Sequence, residues 1–377
     1  MKLIINLSNL HGGGGVQVGY SFIQECVNFR EHEYHVFLCH VLKRQIDATK
    51  FPDNFYFYDF PISPSPFLSG WKIIKRLKKL EKKIQPECVF SIFGPTYWTP
   101  KAPHLMGYAI PHFLYPESQF FNEINFKERQ KLSLMKIIKR FYFLQNANYY
   151  HVETEDAKLR LAKFLNCSSD IIYTVSNTYN SSFDKVSNTL IEMLPLKEDG
   201  EFRFVCISAY YSHKNLEILN KVVLLLVKKR RLKVRFILTI DNNIFESKFS
   251  EIAKQQIINI GPIPIEKCPQ LYNECDAMFL PTLLECFSAN YPEAMKMQKP
   301  ILTSNLSFAI DVCADAAIYF DPLDEVDIVK SIIRLIDNKS LQQELINKGD
   351  ERLNCFNTAK ERAVKYLQIC KDITTAI

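Results

Sequence analysis

Two glutamates, Glu285 and Glu293, stand in the segment ECFSANYPEAM, where a predicted strand runs into a predicted helix. Helix onset near Ser288 would leave the backbone N–H groups of Ser288, Ala289 and Asn290 without intrahelical partners, at the positive end of the helix dipole. A helix start of this kind can bind an anion. Glu293, about one and a half turns further along, could then accept hydrogen bonds from ribose hydroxyls, and Glu285 would face the group beyond the phosphate. Taken alone, the pair also fits two surface glutamates near a helix start.

A second candidate for phosphate contact is the segment NLHGGGGVQVG, residues 9–19, with four consecutive glycines after a short β-rich run. Glycine lets the backbone approach a ligand without an intervening side chain. The run lacks the G-x-G-x-x-G spacing of dinucleotide-binding oxidoreductases, and no Gly-Lys-Ser/Thr follows it as in P-loop NTPases, so the sequence argues against both classes. We expect Gly14 and Gly15, placed just before a helix, to make the backbone contact.

The elements that must position these residues alternate between β-rich runs and helical patterns. In the first half, we predict strands at 3–9, 34–40, 55–60, 88–94, 104–109 and 149–154, with helices near 16–30, 70–84, 117–145 and 155–165 between them. After a polar segment at 176–200, interpreted as a linker, strands are predicted at 202–209, 234–240, 257–261, 277–282, 301–305 and 317–321. This alternation predicts an α/β fold with two doubly wound parallel sheets, whose carboxyl edges border a ligand-binding cleft.

Composition narrows the class of protein. The chain has 377 residues, 47% of them hydrophobic and 23% charged, which is typical of a globular protein with sizeable cores. Eleven single cysteines without a C-x-x-C pair fit neither a disulfide framework nor a zinc site. No apolar run is long enough for a transmembrane helix, and the start MKLIINLSN does not resemble a secretory signal. We therefore expect a cytoplasmic protein.

The net charge of +6 is concentrated in predicted helices. The segment WKIIKRLKKLEKKI, residues 71–84, combines a basic surface with apolar residues at helical spacing, and basic residues recur at 131–140 as Lys131, Lys136, Lys139 and Arg140. Each helix is compatible with an ordinary solvated face or with contact to an anionic membrane surface. No aromatic platform or recognition motif accompanies the charge, so we expect no nucleic-acid partner.

The late segment as a whole resembles a known family. A strand ending in Pro-Thr, then E-x-F-x-x-x-x-x-E-A-M, then Lys-Pro and a new strand (KPILTSN), resembles the E-x7-E signature of glycosyltransferase family 4. The family pattern usually has Gly where this chain has Cys286 and Ser288. The family consists of retaining enzymes of the GT-B fold, which has two Rossmann-like domains facing a central cleft. The resemblance covers nearly the whole chain and is strongest from 202 to 340.

Further segments extend the resemblance and imply roles for single residues. ISAYYSHKNLEIL matches the family's strand, loop and Lys-Asn/Gly element, which implies that Lys214 is a cation against the nucleotide diphosphate. Many members carry Arg five residues earlier, where this chain has Ala209, so one cation is missing or is supplied from elsewhere. The turn containing Gly261 and Ile263 implies contact with the base, and Asn177 is placed where the chain crosses between domains. His112 stands near the position of the family's His-Asp element and is expected to line the cleft.

The resemblance implies an N-terminal acceptor-binding domain at 1–180, a donor-binding domain at 181–357 and a final helix at 358–377 that packs back on the first domain. It further implies retention at the anomeric carbon, with Glu285 and His112 as catalytic residues. Lys214, Glu293, Ser288, Ala289, Asn290, Ile263, Gly14, Gly15 and Asn177 would bind the donor.

No Asp-x-Asp pair is present in the sequence, so we expect neither a metal nor another cofactor. The expected partners are a nucleotide-sugar, a lipid-linked saccharide acceptor of O-antigen, capsule or exopolysaccharide type, and the inner face of the cytoplasmic membrane. A nucleotide-sugar 2-epimerase of the same fold and a non-catalytic donor-binding protein remain as alternatives.

Overall fold

The computed structural model describes residues 1–65, 68–185 and 192–375. The chain divides into two compact units. The N-terminal unit comprises Met1–Glu117, Phe121–Asn177 and Asn357–Ile377, and the C-terminal unit comprises Ser118–Phe120 and Thr178–Phe356. The passage from the N-terminal to the C-terminal unit that corresponds to the predicted boundary falls between Asn177 and Thr178. The sequence predicts this boundary at 180.

The N-terminal unit is built on a sheet of seven parallel strands in the order β3-β2-β1-β4-β5-β6-β7. The strands are β1 (Lys2–Asn6), β2 (Glu33–Cys39), β3 (Phe55–Phe60), β4 (Cys88–Ser91), β5 (His104–Gly107), β6 (Tyr149–Val152) and β7 (Ile172–Thr174). Strand β1 lies centrally, and its apolar residues Leu3, Ile4 and Ile5 are fully buried. Burial on both faces explains the apolar run of β1.

Helices cover both faces of this sheet. They are α1 (Gly14–Cys26), α2 (His40–Gln45), α3 (Leu68–Ile84), α4 (Pro111–Leu114), α5 (Phe120–Glu123), α6 (Phe126–Asn146), α7 (Glu155–Leu165) and, at the C-terminal end, α16 (Ala359–Thr375); α5 begins on the short C-terminal-unit segment. Residues of α1 and α16 share one core with Leu3 and Phe90. On the other face, α3 buries Leu77 and Ile84 against Ile4 and Val89.

The C-terminal unit has a sheet of six parallel strands in the order β10-β9-β8-β11-β12-β13. The strands are β8 (Phe202–Cys206), β9 (Val234–Leu238), β10 (Ile257–Asn259), β11 (Ala277–Leu280), β12 (Ile301–Ser304) and β13 (Ala317–Phe320). The helices are α8 (Leu219–Lys228), α9 (Asn242–Lys248), α10 (Glu251–Lys254), α11 (Cys268–Asn273), α12 (Asn290–Lys296), α13 (Ser307–Cys313), α14 (Glu325–Ile336) and α15 (Lys339–Leu353). Strands β8 and β11 are neighbours, so their carboxyl ends lie at the same edge of the sheet.

The structure confirms the predicted α/β class and both parallel sheets, and it corrects three details. Strand β7 was not predicted as a strand. The helix expected over 117–145 is interrupted before α6, whose first turn is capped by the Asn125 side chain accepting from Glu128 N at 3.0 Å. Part of the predicted linker is folded, because 181–184 forms a 3₁₀ turn with a buried Phe183. Linker residues 186–191 lie outside the described residues.

The cysteines are free, and nine of the eleven are buried, with Cys167 half-buried and Cys355 exposed. This burial agrees with their interpretation as small apolar residues of the core. A separate finding concerns membrane spans: over the part of the chain that the structure describes, every helix is too short or too polar to cross a bilayer.

Candidate functional site

The C-terminal unit brings together two of the predicted site residues, Lys214 and Glu285. Lys214 follows the carboxyl end of β8, and Glu285 follows the carboxyl end of the neighbouring β11. The Lys214 ammonium donates a hydrogen bond to Glu285 Oε1, and only 13% and 11% of the two side chains are exposed. Crevices at the carboxyl ends of parallel strands are where ligands bind in open α/β sheets. Burial in this crevice requires each charge to keep a partner, and the pair meets that requirement.

The turn that carries Lys214 is held in place by the next residue, Asn215. Asn215 adopts a left-handed conformation with φ 54° and ψ 34°. Its side-chain amide donates to Pro322 O at 2.7 Å and to Pro281 O at 3.3 Å, and thereby joins this turn to loops after β13 and β11. Asn215 is not among the predicted site residues, although a Lys-Asn pair after a strand is a signal for such a turn, because asparagine tolerates this conformation.

Hydrogen bonds to two other segments hold the loop that carries Glu285. Leu283 N and Thr282 Oγ1 both donate to His213 O, at 2.7 and 3.1 Å. Ser118 Oγ, from the short segment that belongs to this unit, donates to Leu283 O at 2.7 Å. The loop is therefore fixed by backbone contacts on both sides of Leu283, and Glu285 is held where Lys214 reaches it.

Glu293 occupies a different environment from Glu285. It lies on α12, is 4% exposed, and burial raises its pKa to about 8. A neutral carboxyl group at this position costs less to bury than a carboxylate does. Ligand hydroxyls donating to Glu293 would favour the ionised form, so the site can couple ligand binding to loss of this proton.

The turn before Glu293 begins as expected near Ser288, although the regular helix α12 begins two residues later. Tyr291 N donates to Ser288 O at 3.2 Å and Glu293 N to Ala289 O at 3.0 Å. The N–H groups of Ser288, Ala289 and Asn290 therefore precede the first bonds of this turn. The Asn290 side chain donates to Ile207 O at 2.8 Å, which attaches the start of α12 to the end of β8.

The remaining C-terminal candidates lie in loops of the same unit. Ile263 is half-buried and follows Gly261, which has φ 75°, a value that favours glycine. Ala209, at the position where many family members carry Arg, is exposed in the loop after β8. Beside this loop, Lys248 Nζ lies 5.5 Å from the ring centroid of Tyr210 and 3.6 Å from Glu217 Oε1.

In the N-terminal unit, the glycine run does not lie wholly before the helix. Helix α1 begins at Gly14, so Gly14 and Gly15 form its first turn, and Gly13 is the preceding residue with φ 66°. A Cβ atom on Gly14 would meet no atom within 4 Å, whereas one on Gly15 would lie 3.2 Å from Phe93 Cδ2. Gly14 is thus the open position, and Gly15 is packed.

The two other N-terminal candidates have different environments. Asn177 is buried, and its side-chain oxygen accepts a hydrogen bond from Arg362 of α16, which also donates to Ser21 Oγ at 2.8 Å. This contact assigns Asn177 a structural role within the unit, which sequence analysis did not foresee. His112 lies on the short helix α4 and is half-buried.

Among residues 1–65, 68–185 and 192–375, no group of three or more His, Cys, Asp or Glu side chains is arranged to hold a metal ion.

A family model matches part of the C-terminal unit. Residues 192–352, which include Lys214, Glu285 and Glu293, match the family model "Glycosyl transferases group 1". The O-antigen chain mannosyltransferase RfbU of Salmonella typhimurium is 24% identical over 221 residues, which is 56% of this chain. The matched region spans 55% of that relative's length.

Solved structures resemble the chain over its full length. WaaG, a glycosyltransferase involved in lipopolysaccharide biosynthesis, superposes with a TM-score of 0.72 at 13% identity, covering 98% of this chain and 99% of its own. Anabaena Alr3699/HepE in complex with UDP-glucose superposes with a TM-score of 0.67 at 13% identity, covering 100% of both chains. At this identity the likeness shows the fold, which is GT-B, with its two parallel-sheet α/β domains. The similarity to group 1 glycosyltransferases is therefore carried by residues 192–352, which lie in the C-terminal unit.

Proposed function

We propose that this protein is a retaining, metal-independent hexosyltransferase that moves a sugar from a nucleotide-sugar to a lipid-linked saccharide. The acceptor would belong to bacterial O-antigen, capsule or exopolysaccharide assembly, at the cytoplasmic face of the inner membrane. The observation that carries the proposal is the buried Lys214–Glu285 pair at the carboxyl ends of β8 and β11. Glu293, which follows Glu285 closely in the sequence, is buried on α12. The names of similar proteins, an O-antigen chain mannosyltransferase and a protein bound to UDP-glucose, support the donor and acceptor classes.

In the proposed reaction, the bond between the anomeric carbon and the β-phosphate oxygen breaks, and a bond from the acceptor oxygen to that carbon forms. The acceptor hydroxyl loses its proton to the departing phosphate, so charge and atoms balance. Lys214 would stabilise the negative charge of the leaving diphosphate, and Glu285 orients the Lys214 ammonium. A charge-assisted contact of this kind contributes about 1.5–3 kcal/mol. Glu293 would accept hydrogen bonds from the ribose.

The proposal is tested first by donor binding. UDP-, GDP- and ADP-sugars, including the glucose and mannose forms, are screened for thermal stabilisation of the full chain. A donor present at ~100 times its dissociation constant should add about 2.7 kcal/mol to the free energy of unfolding. Lys214→Ala should lose most of this stabilisation. Lys221→Ala is the matched control, because Lys221 is an exposed lysine of the same unit whose side chain is 65% accessible.

Product analysis then tests the reaction class. Incubation with the stabilising donor and a lipid-linked saccharide extract should give a glycosylated lipid with the donor's anomeric configuration, and a chelator should leave the rate unchanged. A free epimerised sugar would instead identify an epimerase. The central claim fails if no nucleotide-sugar shifts the melting curve.

A further inference from the structure

Helix α6 exposes a row of large apolar side chains. Phe126, Leu134, Ile137, Phe141 and Leu144 are 72%, 60%, 69%, 53% and 42% exposed. At 100° per residue these five positions fall within an arc of about 80° on the helix surface. We call them the α6 stripe. Isolated exposed apolar residues are ordinary, but a row of them on one helix, interrupted at Gln130 between Phe126 and Leu134, indicates an interaction surface.

The opposite side of α6 is firmly packed in the N-terminal unit. Phe143 is fully buried, with its ring centroid 4.7 Å from that of Tyr108, and Asn146 is 2% exposed. Arg140 donates to the carbonyls of Phe164 and Leu165 at the end of α7, both at 2.8 Å. The helix is therefore anchored by one side, and the stripe faces away from the core.

Charge next to the stripe decides which partner it fits. Helix α6 carries six basic residues and one acidic residue. At helical spacing, Lys127 and Lys131 fall on one side of the stripe and Arg129 and Lys136 on the other. A row of apolar side chains between two rows of cations is the pattern of a helix that lies in the interface of an anionic bilayer. A second copy of the same face would bring like charges together.

From the sequence we expected the basic residues at 131–140 to contact the membrane. The structure leaves fewer of these cations available for that contact. Burial lowers the pKa of Lys139, and Arg140 is occupied by the end of α7. The surface that α6 presents is mainly apolar, so the contact depends on insertion as well as on charge.

Helix α3 adds to the same side of the sheet. Val89, against which α3 packs, pairs in register with His104, and His104 Nδ1 bonds to Asn146 O at the end of α6. Residues paired across parallel strands share one face, so α3 and α6 cover the same face of the N-terminal sheet. Trp71 on α3 is 57% exposed, with Lys75 Nζ 3.9 Å from its ring centroid, and tryptophan favours the membrane interface.

From this juxtaposition we infer that the α6 stripe inserts into the interface of an anionic lipid bilayer, with the flanking lysines and Arg129 at the headgroups and Trp71 as a second anchor. The inference rests on the proposed function for the lipid-borne acceptor, but vesicle binding can be measured without donor or transfer. The two proposals can therefore fail separately.

The test is sedimentation of the full chain with vesicles of phosphatidylcholine, with and without phosphatidylglycerol. We expect binding to the mixed vesicles and a blue shift of tryptophan emission, which reports on Trp71 because Trp98 is already fully buried. The triple variant Leu134→Ser, Ile137→Ser, Phe141→Ser should reduce the partition coefficient about tenfold or more. The matched control is Leu196→Ser, Leu232→Ser, Ile252→Ser in the C-terminal unit, where the three residues are 80%, 56% and 46% exposed.

Two results would overturn the inference. One is vesicle binding by the triple variant equal to that of the wild type. The other is a wild-type dimer in light scattering that the triple variant abolishes, because the stripe would then be an interface between copies. Thermal stabilisation by the nucleotide-sugar is measured on the same variant and should persist, which shows that the variant is folded and that donor binding is a separate matter.

Discussion

At the scale of single residues, Glu293 holds its proton because water is excluded from it. Its side chain is buried, and burial raises its pKa from 4.5 to about 8. Between these two values, the native state keeps a proton that the unfolded state releases. Below about pH 4.5, Glu293 makes its full contribution to the free energy of unfolding. This contribution is lost as the pH rises through about 8.

We therefore expect Glu293→Gln to flatten the pH dependence of stability. In urea unfolding, the wild type should lose stability between about pH 5 and about pH 8 more steeply than the variant does. The difference between the two proteins isolates Glu293 from other groups that titrate in this window. Equal slopes would contradict the assignment. Glu266→Gln, an exposed glutamate of the same unit, is the control.

At the scale of elements, the first turn of α1 separates two glycines that the sequence treats alike. Gly14 faces open space, whereas a side chain on Gly15 meets Phe93, which is 8% exposed. A branched side chain at position 15 must displace a packed ring, so Gly15→Val would disturb the fold as well as any backbone contact with a ligand.

Gly14→Val is the sharper test of backbone contact with a ligand. We expect its melting temperature to stay close to that of the wild type while its transfer rate falls at least about tenfold, because a side chain would block a close approach of the backbone. Gly15→Val should lower the melting temperature, since overpacking typically costs about 1–3 kcal/mol. Wild-type turnover by Gly14→Val would show that the glycine run is only a turn.

At the scale of the whole molecule, the two ends of the chain belong to one unit. Helix α16 returns to the N-terminal sheet, where Tyr366 is 1% exposed and its ring centroid lies 4.8 Å from that of Phe90 and 5.7 Å from that of Phe22. The N-terminal core therefore includes residues from both ends of the chain, and its stability depends on the last helix.

We expect Tyr366→Ala to destabilise the N-terminal unit by about 3 kcal/mol or more, the range for deleting a buried aromatic side chain. Both tryptophans, Trp71 and Trp98, lie in this unit, so tryptophan fluorescence follows its unfolding alone. Val364→Ala, on the same helix at a position 45% exposed, should behave like the wild type. Equal fluorescence midpoints for Tyr366→Ala and the wild type would refute this account.

The sequence by itself determined the fold class and most of the strands, because hydrophobic periodicity and turn residues act within short segments. It also predicted one site with Lys214, Glu285 and Glu293, from motifs that each lie within a short segment of the chain, and the structure pairs Lys214 with Glu285. Strand β7 escaped prediction because it is three residues long and carries no alternation of its own.

Only the tertiary structure decided which of these residues meet. Lys214 and Glu285 are 71 positions apart and become partners because β8 and β11 are neighbours in the sheet. Asn177 accepts a hydrogen bond from Arg362, 185 positions away, because α16 packs against the N-terminal sheet. The exposed face of α6 is likewise a tertiary property: a helical pattern shows that a helix has an apolar row, and packing decides if another element covers it.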